Sequence, residues 1–134
     1  MKKAMLTLAI FALVGCARPY GPTTSIINDQ AVTPNPSKKQ TKIKVFRMKQ
    51  FRESILSSCQ FMIEVDGKMV AMLKQNQYVT AYVDNGTHYL GFSDTCYSTE
   101  ITGRKVLEVI ADGAPQEYST KIGAYGAFLM WRTQ

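Results

Sequence analysis

The chain has 134 residues, of which 46% are hydrophobic, with five prolines and nine glycines. This length fits one domain, and the composition excludes a wholly disordered or collagen-like chain. The formal net charge of +6 is uneven: eight basic residues and one acidic residue lie between residues 17 and 52, whereas six basic and nine acidic residues lie between residues 53 and 134.

The first fifteen residues have the organisation of a secretory signal peptide. Lys2 and Lys3 form a positive start, and residues 4–14 form an apolar run of eleven residues. As a helix rising about 1.5 Å per residue, this run covers about half of a hydrocarbon core roughly 30 Å thick. It therefore predicts a signal peptide over residues 1–15 rather than a membrane span.

The end of this leader, Leu13-Val14-Gly15-Cys16, resembles the lipobox of bacterial lipoproteins. The resemblance implies cleavage before Cys16 and attachment of lipid to the Cys16 thiol, which makes a membrane the predicted partner. Ala17, by the sorting pattern of these lipoproteins, implies the outer membrane, on its periplasmic face. The alternative is an ordinary secretory signal that happens to contain a cysteine.

Residues 16–40 are predicted to be a lipidated cysteine followed by a flexible tether, because four of the five prolines lie there among small polar residues. Basic residues follow, and in an exported protein they favour an anionic lipid headgroup, peptidoglycan or an acidic protein face over nucleic acid. The candidates for this contact are Lys38, Lys39, Lys42 and Lys44. The alternative, favoured for the strand itself, is that Lys42, Lys44, Arg47 and Lys49 protect an edge strand from aberrant pairing.

Two cysteines remain if Cys16 carries lipid, namely Cys59 and Cys96. An even number of cysteines in an oxidising compartment predicts a disulfide between them. The alternatives are two reduced buried thiols or one reactive thiol, which the absence of a Cys-x-x-Cys motif and the single histidine of the chain make less suitable.

From residue 41 onward the hydrophobic residues alternate with polar ones, as in strands with one buried face. After the strand that ends at Val65, Asp66-Gly67 predicts a two-residue hairpin loop with Ile63 opposite Val70 and Phe61 opposite Met72.

Asn85-Gly86 predicts a second hairpin of the same kind. Its strands would place Ala81 opposite Leu90, Val79 opposite Phe92 and Val83 opposite His88. Together with strands near residues 42–49, 104–111, 117–122 and 127–132, these hairpins predict an all-β domain over residues 41–134. We expect an antiparallel β-sandwich, Ig-like or transthyretin-like, of about seven to eight short strands.

Four segments of this domain, residues 44–47, 63–70, 73–78 and 83–88, resemble small bacterial lipoproteins classified only as a domain of unknown function. The shared pattern is an aromatic-Arg step, a V-D-G-K-x-V hairpin, an L-x-x-x-x-Y segment and a G-x-H strand. This chain differs in lacking a proline after Arg47 and in having the Cys59 and Cys96 pair. The resemblance implies a β-sandwich on a lipid anchor with no assigned activity.

No residue pattern predicts catalysis. His88 is the one histidine, and neither a metal-binding nor a nucleophilic motif surrounds it, so a structural role is favoured over a triad with Ser93 and Asp94. We expect no cofactor and no metal. Tyr78, Tyr82 and Tyr89 would form a row across the second hairpin, a candidate platform for a partner or, alternatively, an ordinary cross-strand cluster.

These observations predict a lipid-anchored envelope protein that is a non-catalytic binding or structural module, with an envelope protein or peptidoglycan as candidate partner and its oligomeric state left open. One alternative is an inhibitor or exclusion factor directed at lysozyme or a phage receptor. The loop at residues 95–103 is the candidate segment that would contact such a target. Another is a sandwich subunit of a secretion assembly, which would expose a large apolar patch. An enzyme would need a pocket that gathers His88 with acidic residues from other strands.

Overall fold

The computed structural model describes residues 19–50, 59–95, 103–123 and 126–134. Within these ranges the chain forms ten β-strands and no α-helix. The strands are β1 (Gly21–Pro22), β2 (Ser25–Ile26), β3 (Gln40–Arg47), β4 (Phe61–Val65), β5 (Lys68–Leu73), β6 (Gln77–Asp84), β7 (Gly86–Asp94), β8 (Arg104–Ala111), β9 (Gln116–Ile122) and β10 (Phe128–Arg132).

The strands form two five-stranded sheets that share one hydrophobic core. The first sheet has the order β1-β6-β3-β9-β10, and the second has the order β2-β5-β4-β7-β8. Neighbouring strands are antiparallel except for the pairs β1–β6 and β3–β9. The prediction of an all-β, sandwich-like domain is therefore confirmed. The expected count of seven to eight strands omits the two short strands β1 and β2.

The Asp66-Gly67 turn is present as predicted, with both residues at positive φ (52° and 77°). Val65 lies opposite Lys68, but a bulge then shifts the register, so Ile63 lies opposite Ala71 and Phe61 opposite Leu73. The predicted pairs of Ile63 with Val70 and of Phe61 with Met72 are therefore wrong. The extra residue turns both Val70 and Ala71 toward the core, which a regular strand cannot do.

The second predicted hairpin is wrong, because β6 lies in the first sheet and β7 in the second. The chain changes sheets at Gly86, whose φ of 133° is open to glycine but unfavourable for other residues. The inward faces were nevertheless predicted correctly, since Val79, Ala81, Leu90 and Phe92 are buried. The two strands therefore do not pair with each other by hydrogen bonds.

Strand β3 is central in the first sheet, between β6 and β9, so the prediction that it is an edge strand is wrong. Its alternation continues to the last residue: Ile43, Val45 and Arg47 point inward, and Arg47 is only 1% exposed. Lys42 and Lys44 point to the outer face of the same sheet.

The described part of the predicted tether lies against the sandwich. Strand β1 pairs with β6 and β2 pairs with β5, so this segment contacts both sheets. Further along, the Ala31 carbonyl accepts a hydrogen bond from the Tyr82 N–H (2.8 Å). The prediction of a flexible tether is therefore wrong for residues 19–40, and the folded domain begins before residue 41.

Candidate functional site

The single histidine lies in a cleft at one end of the sandwich, beside the Asp66-Gly67 turn and the connection from β6 to β7. The cleft has a volume of about 340 Å³, and the lining residues include Asp66, Lys68, Tyr82, Asp84 and His88. Both sheets contribute to it, because Tyr82 and Asp84 lie on β6 and His88 lies on β7. We call this the His88 end of the sandwich.

Both ring nitrogens of His88 have hydrogen-bond acceptors as partners. Nδ1 lies 2.6 Å from the Asp66 carboxylate, and Nε2 lies 2.5 Å from the backbone carbonyl oxygen of Asp84. The other Asp66 oxygen accepts the Tyr89 N–H at 2.9 Å. Since neither partner of the ring can donate in this arrangement, the geometry favours the doubly protonated imidazolium.

The charges at this end support one another. Burial opposes the positive charge of His88, but its hydrogen bonds to Asp66 and to the Asp84 carbonyl, with the charges of both aspartates, raise the pKa of His88 above 6.5. Burial likewise favours the protonated form of Asp66, yet the hydrogen bonds from His88 and the Tyr89 N–H, with the charges of His88 and Lys68, lower the pKa of Asp66 below 3.8.

This arrangement suits a structural link between strands better than a general base. An imidazolium that donates from both nitrogens has no lone pair left to accept a proton or to bind a metal ion. Ser93 and Asp94 lie at the far end of β7, five or more residues from His88 along an extended strand, so they do not form a triad with it. His88 links the β4–β5 turn of the second sheet to the end of β6 in the first.

Two of the predicted lysines and two of the predicted tyrosines share the outer face of the first sheet. The register places Lys42 of β3 opposite Tyr82 of β6. Lys44, also on β3, lies opposite the position midway between Tyr78 and Tyr82 on β6. The Lys44 ammonium lies 4.1 Å from the Tyr78 ring centroid and 5.0 Å from that of Phe46. We call this set, with Phe46, the Lys-Tyr face.

The third tyrosine does not belong to this set. Tyr89 lies on β7 in the second sheet, where it is 51% exposed. The predicted row of Tyr78, Tyr82 and Tyr89 is therefore wrong, for the same reason that the second hairpin is wrong. The local turn signal predicts that these strands pair, whereas in the fold they lie in different sheets.

The other two candidate lysines lie before β3 and are exposed. The Lys38 ammonium is 3.3 Å from the Asp84 carboxylate, which also accepts a hydrogen bond from Gln40. The hydrogen bonds from Gln40 and Lys38 lower the pKa of Asp84 below 3.8. Lys38 therefore already has an anionic partner, and the backbone carbonyl of Lys39 accepts the Asn85 N–H at 3.0 Å.

Arg47 at the opposite end is a buried cation, whereas its sequence context predicts an exposed residue of an edge strand. Its Nη1 donates to the carbonyl oxygens of Cys59 (2.5 Å) and Leu73 (3.0 Å), and its guanidinium lies 4.0 Å from the Phe61 ring centroid. Burial lowers the pKa of Arg47 to about 10, although the negative charge of Asp94 acts to raise it. We call this the Arg47 end.

Of the predicted cysteine sites, Cys59 is buried at the Arg47 end, 2% exposed. Its neighbour Gln60 exchanges hydrogen bonds with Thr95: the Thr95 N–H donates to the Gln60 carbonyl (3.0 Å), and the Gln60 N–H donates to the Thr95 hydroxyl (3.1 Å). Cys16 and Cys96 lie outside the described residues, as do residues 96–102 of the candidate inhibitory loop, so the disulfide and the lipid attachment stay predictions.

Within the described ranges, no helix has the length and apolar character needed to cross a membrane. In the same ranges, no group of three or more His, Cys, Asp or Glu side chains could hold a metal ion. No protein-family profile matches the chain, and no curated protein is significantly similar to it.

Proposed function

We propose that this protein is a lipid-anchored module of the bacterial cell envelope, held by Cys16 at the periplasmic face of the outer membrane. Its domain, which we propose to be of the Ig-like or transthyretin-like type, binds a partner without catalysing a reaction. The support for the location is the leader of residues 1–15 with its lipobox-like end.

The Lys-Tyr face is the proposed binding surface, and the position of Lys44 carries this proposal. Its ammonium lies over two aromatic rings, and Lys42 is exposed beside it. Within the described residues, neither ammonium has a carboxylate within 4 Å. Ammonium groups that form no close ion pair, one of them resting on aromatic rings, suit the phosphate and carboxylate groups of an envelope surface.

The anchor is tested with Cys16→Ser, because a hydroxyl cannot replace the thiol in the thioether that carries the lipid. We expect the variant to lack the mass of the lipid and either to keep its uncleaved leader or to leave the membrane fraction, since buried acyl methylenes supply about 0.8 kcal/mol each. An unchanged mass and unchanged membrane partitioning would contradict the anchor.

The surface is tested in the full chain with Cys16→Ser, mixed with vesicles of phosphatidylcholine alone or with phosphatidylglycerol, and with isolated peptidoglycan. We expect binding to the anionic vesicles or to peptidoglycan that weakens steeply with salt and is lost in Lys42→Gln/Lys44→Gln. Lys74→Gln, which changes an exposed lysine in the β5–β6 connection, is the matched control. Binding that ignores salt or the paired substitution would contradict the proposal.

The outer face of the second sheet favours a second candidate, a subunit of a larger envelope assembly. Met69, Tyr89, Val106 and Ile110 are between 41% and 65% exposed there, and Glu64 and Arg104 form an ion pair (2.5 Å) on the same face. Large apolar surfaces are typical of proteins that bind other proteins. Cross-linking in intact cells, compared between the native chain and Ile110→Lys, distinguishes this candidate, because only an assembly subunit would lose its cross-links.

A further inference from the structure

A second cleft lies where the last strands of the two sheets meet. Strand β8 is an edge strand of the second sheet and β10 is an edge strand of the first. No further strand of the described chain pairs with their outer edges. Between them lies a space of about 330 Å³ with Lys105, Lys121, Leu129, Met130 and Trp131 as its lining. We call this the Trp131 cleft.

The walls of the Trp131 cleft are mainly apolar, and two lysines from different sheets are among its lining residues. Lys105 lies on β8 of the second sheet and Lys121 on β9 of the first. The Lys121 ammonium is 5.6 Å from the Trp131 ring centroid. Both lysines are partly buried, and no carboxylate of the described residues lies within 4 Å of either ammonium.

Close packing next to the cleft fixes its shape. Gly103 and Phe128 come just before the lining residues of β8 and β10, respectively. The Phe128 ring packs so closely on Gly103 that any Cβ at residue 103 would overlap it. Phe128 continues a row of rings, 5.3 Å from Phe92, which is itself 5.1 Å from Phe61. The Phe128–Gly103 contact thereby connects the beginnings of the two edge strands beside the opening.

We infer that the Trp131 cleft binds a small organic anion. The acidic head lies between the ammonium groups of Lys105 and Lys121, and an apolar body lies against Trp131 and Leu129. The volume suits a small molecule, since ligand pockets start at roughly 300 Å³. Two cations without counter-ions beside apolar walls attract an anion more strongly than they would in open water. The head is a carboxylate or a phosphate, which present the same chemistry to two ammonium groups.

The single tryptophan of the chain makes this inference directly measurable. Trp131 fluorescence is followed in the full chain with Cys16→Ser during titration with cyclohexanecarboxylate, cyclohexyl phosphate or cyclohexylmethanol. We expect a saturable change with at least one anion and about tenfold weaker binding of the neutral alcohol, because the alcohol lacks the charge that both lysines contact. Comparison of the two anions identifies the preferred head.

Variants assign the effect to the cleft. Lys105→Gln and Lys121→Gln are each expected to weaken binding of the anion about fivefold and to leave binding of the alcohol unchanged. Lys74→Gln, at an exposed lysine elsewhere, should bind as the parent does. Circular dichroism melting curves of all four proteins separate a lost contact from a lost fold.

Two results would overturn the inference: equal binding of the alcohol and both anions, or anion binding that survives Lys105→Gln/Lys121→Gln. The inference is independent of the proposed envelope surface. Lys42→Gln/Lys44→Gln should abolish vesicle or peptidoglycan binding while leaving the Trp131 titration unchanged, so failure of one proposal is distinguishable from failure of the other.

Discussion

At each end of the sandwich one cation joins the two sheets, and the two cations differ in their access to water. At the Arg47 end a fully buried guanidinium of the first sheet donates to two backbone carbonyls beside the second. At the His88 end an imidazole of the second sheet, 17% exposed, contacts the Asp66 carboxylate and the carbonyl of Asp84 at the end of the first.

The difference shows how the choice of cation decides whether a link depends on pH. Burial lowers the pKa of Arg47 only to about 10, so its charge and all its donors persist through the neutral range. The pKa of His88 is raised from 6.5, which leaves its second proton within the range where pH changes can remove it. The Arg47 end is therefore a permanent link and the His88 end a conditional one.

The largest expected effect concerns the predicted disulfide at the Arg47 end. A bridge between Cys59 and Cys96 closes a loop of about 37 residues and, in the chain-entropy model, stabilises the fold by up to roughly 4 kcal/mol. In the full chain with Cys16→Ser, reductant should lower the free energy of urea unfolding by up to this amount. The same reductant should not affect Cys59→Ala/Cys96→Ala. Alkylation of both thiols without denaturant, or a midpoint indifferent to reductant, would contradict the bridge.

Arg47→Met should have the next largest effect. The substitution removes a donor from two buried carbonyl oxygens, those of Cys59 and Leu73, and an unsatisfied buried acceptor costs about 1–3 kcal/mol. We expect a total loss of about 3 kcal/mol in the free energy of unfolding, measured by urea denaturation. Lys42→Met, at an exposed position of the same strand, is the matched control and should stay within about 0.5 kcal/mol of the parent. A similar small change for Arg47→Met would show that the Arg47 end does not need its cation.

The sequence predicts the two turns at the His88 end unequally. Asp66-Gly67 was identified because a tight turn needs two residues at positive φ, which is a local requirement. Asn85-Gly86 carries the same signal, yet its flanking strands belong to different sheets. A turn signal reports that the chain reverses, but the partner of each strand depends on long-range packing that neighbouring residues do not encode.

The burial of Arg47 and His88 was detectable from alternation alone. Arg47 continues the inward series of Ile43 and Val45, and His88 begins the inward series of Leu90 and Phe92. The basic residues around Arg47 favour an exposed edge strand, whereas its position in the alternation predicts burial. The acceptors of both cations come from distant segments, and no pattern near either residue predicts them.

An intermediate effect is expected from pH at the His88 end. A raised pKa means that the His88 contribution is complete below pH 6.5 and is lost as pH rises through the pKa of the folded protein. A lowered pKa means that the Asp66 contribution is complete above pH 3.8 and is lost as pH falls through its folded pKa. The link should therefore stabilise most between these two values.

Unfolding in urea between about pH 6 and about pH 9 measures the alkaline part of this effect, which we expect to be about 1 kcal/mol or less because Asp66 is partly exposed. His88→Gln should flatten the profile in this range. Since the chain has one histidine, its imidazole proton resonance gives the folded pKa directly. A pKa below 6.5, or a pH profile that His88→Gln leaves unchanged, would contradict the conditional link.

The smallest expected effect lies just outside the same end, at the ion pair of Lys38 with Asp84. The two side chains are 56% and 54% exposed, so water screens their 3.3 Å contact and both retain much of their freedom. We expect Lys38→Gln to leave the urea midpoint unchanged at low and at high salt, in contrast to Arg47→Met. Asp84→Asn should lower the pKa of His88 and, by linkage, reduce stability slightly near neutral pH. The Asp84 charge is one of the influences that raise this pKa, while the Asp84 carbonyl that accepts from Nε2 is kept. A large loss of stability in Lys38→Gln would show that the His88 end extends to this surface pair, and an unchanged His88 pKa in Asp84→Asn would leave Asp66 as the carboxylate that sustains the imidazolium.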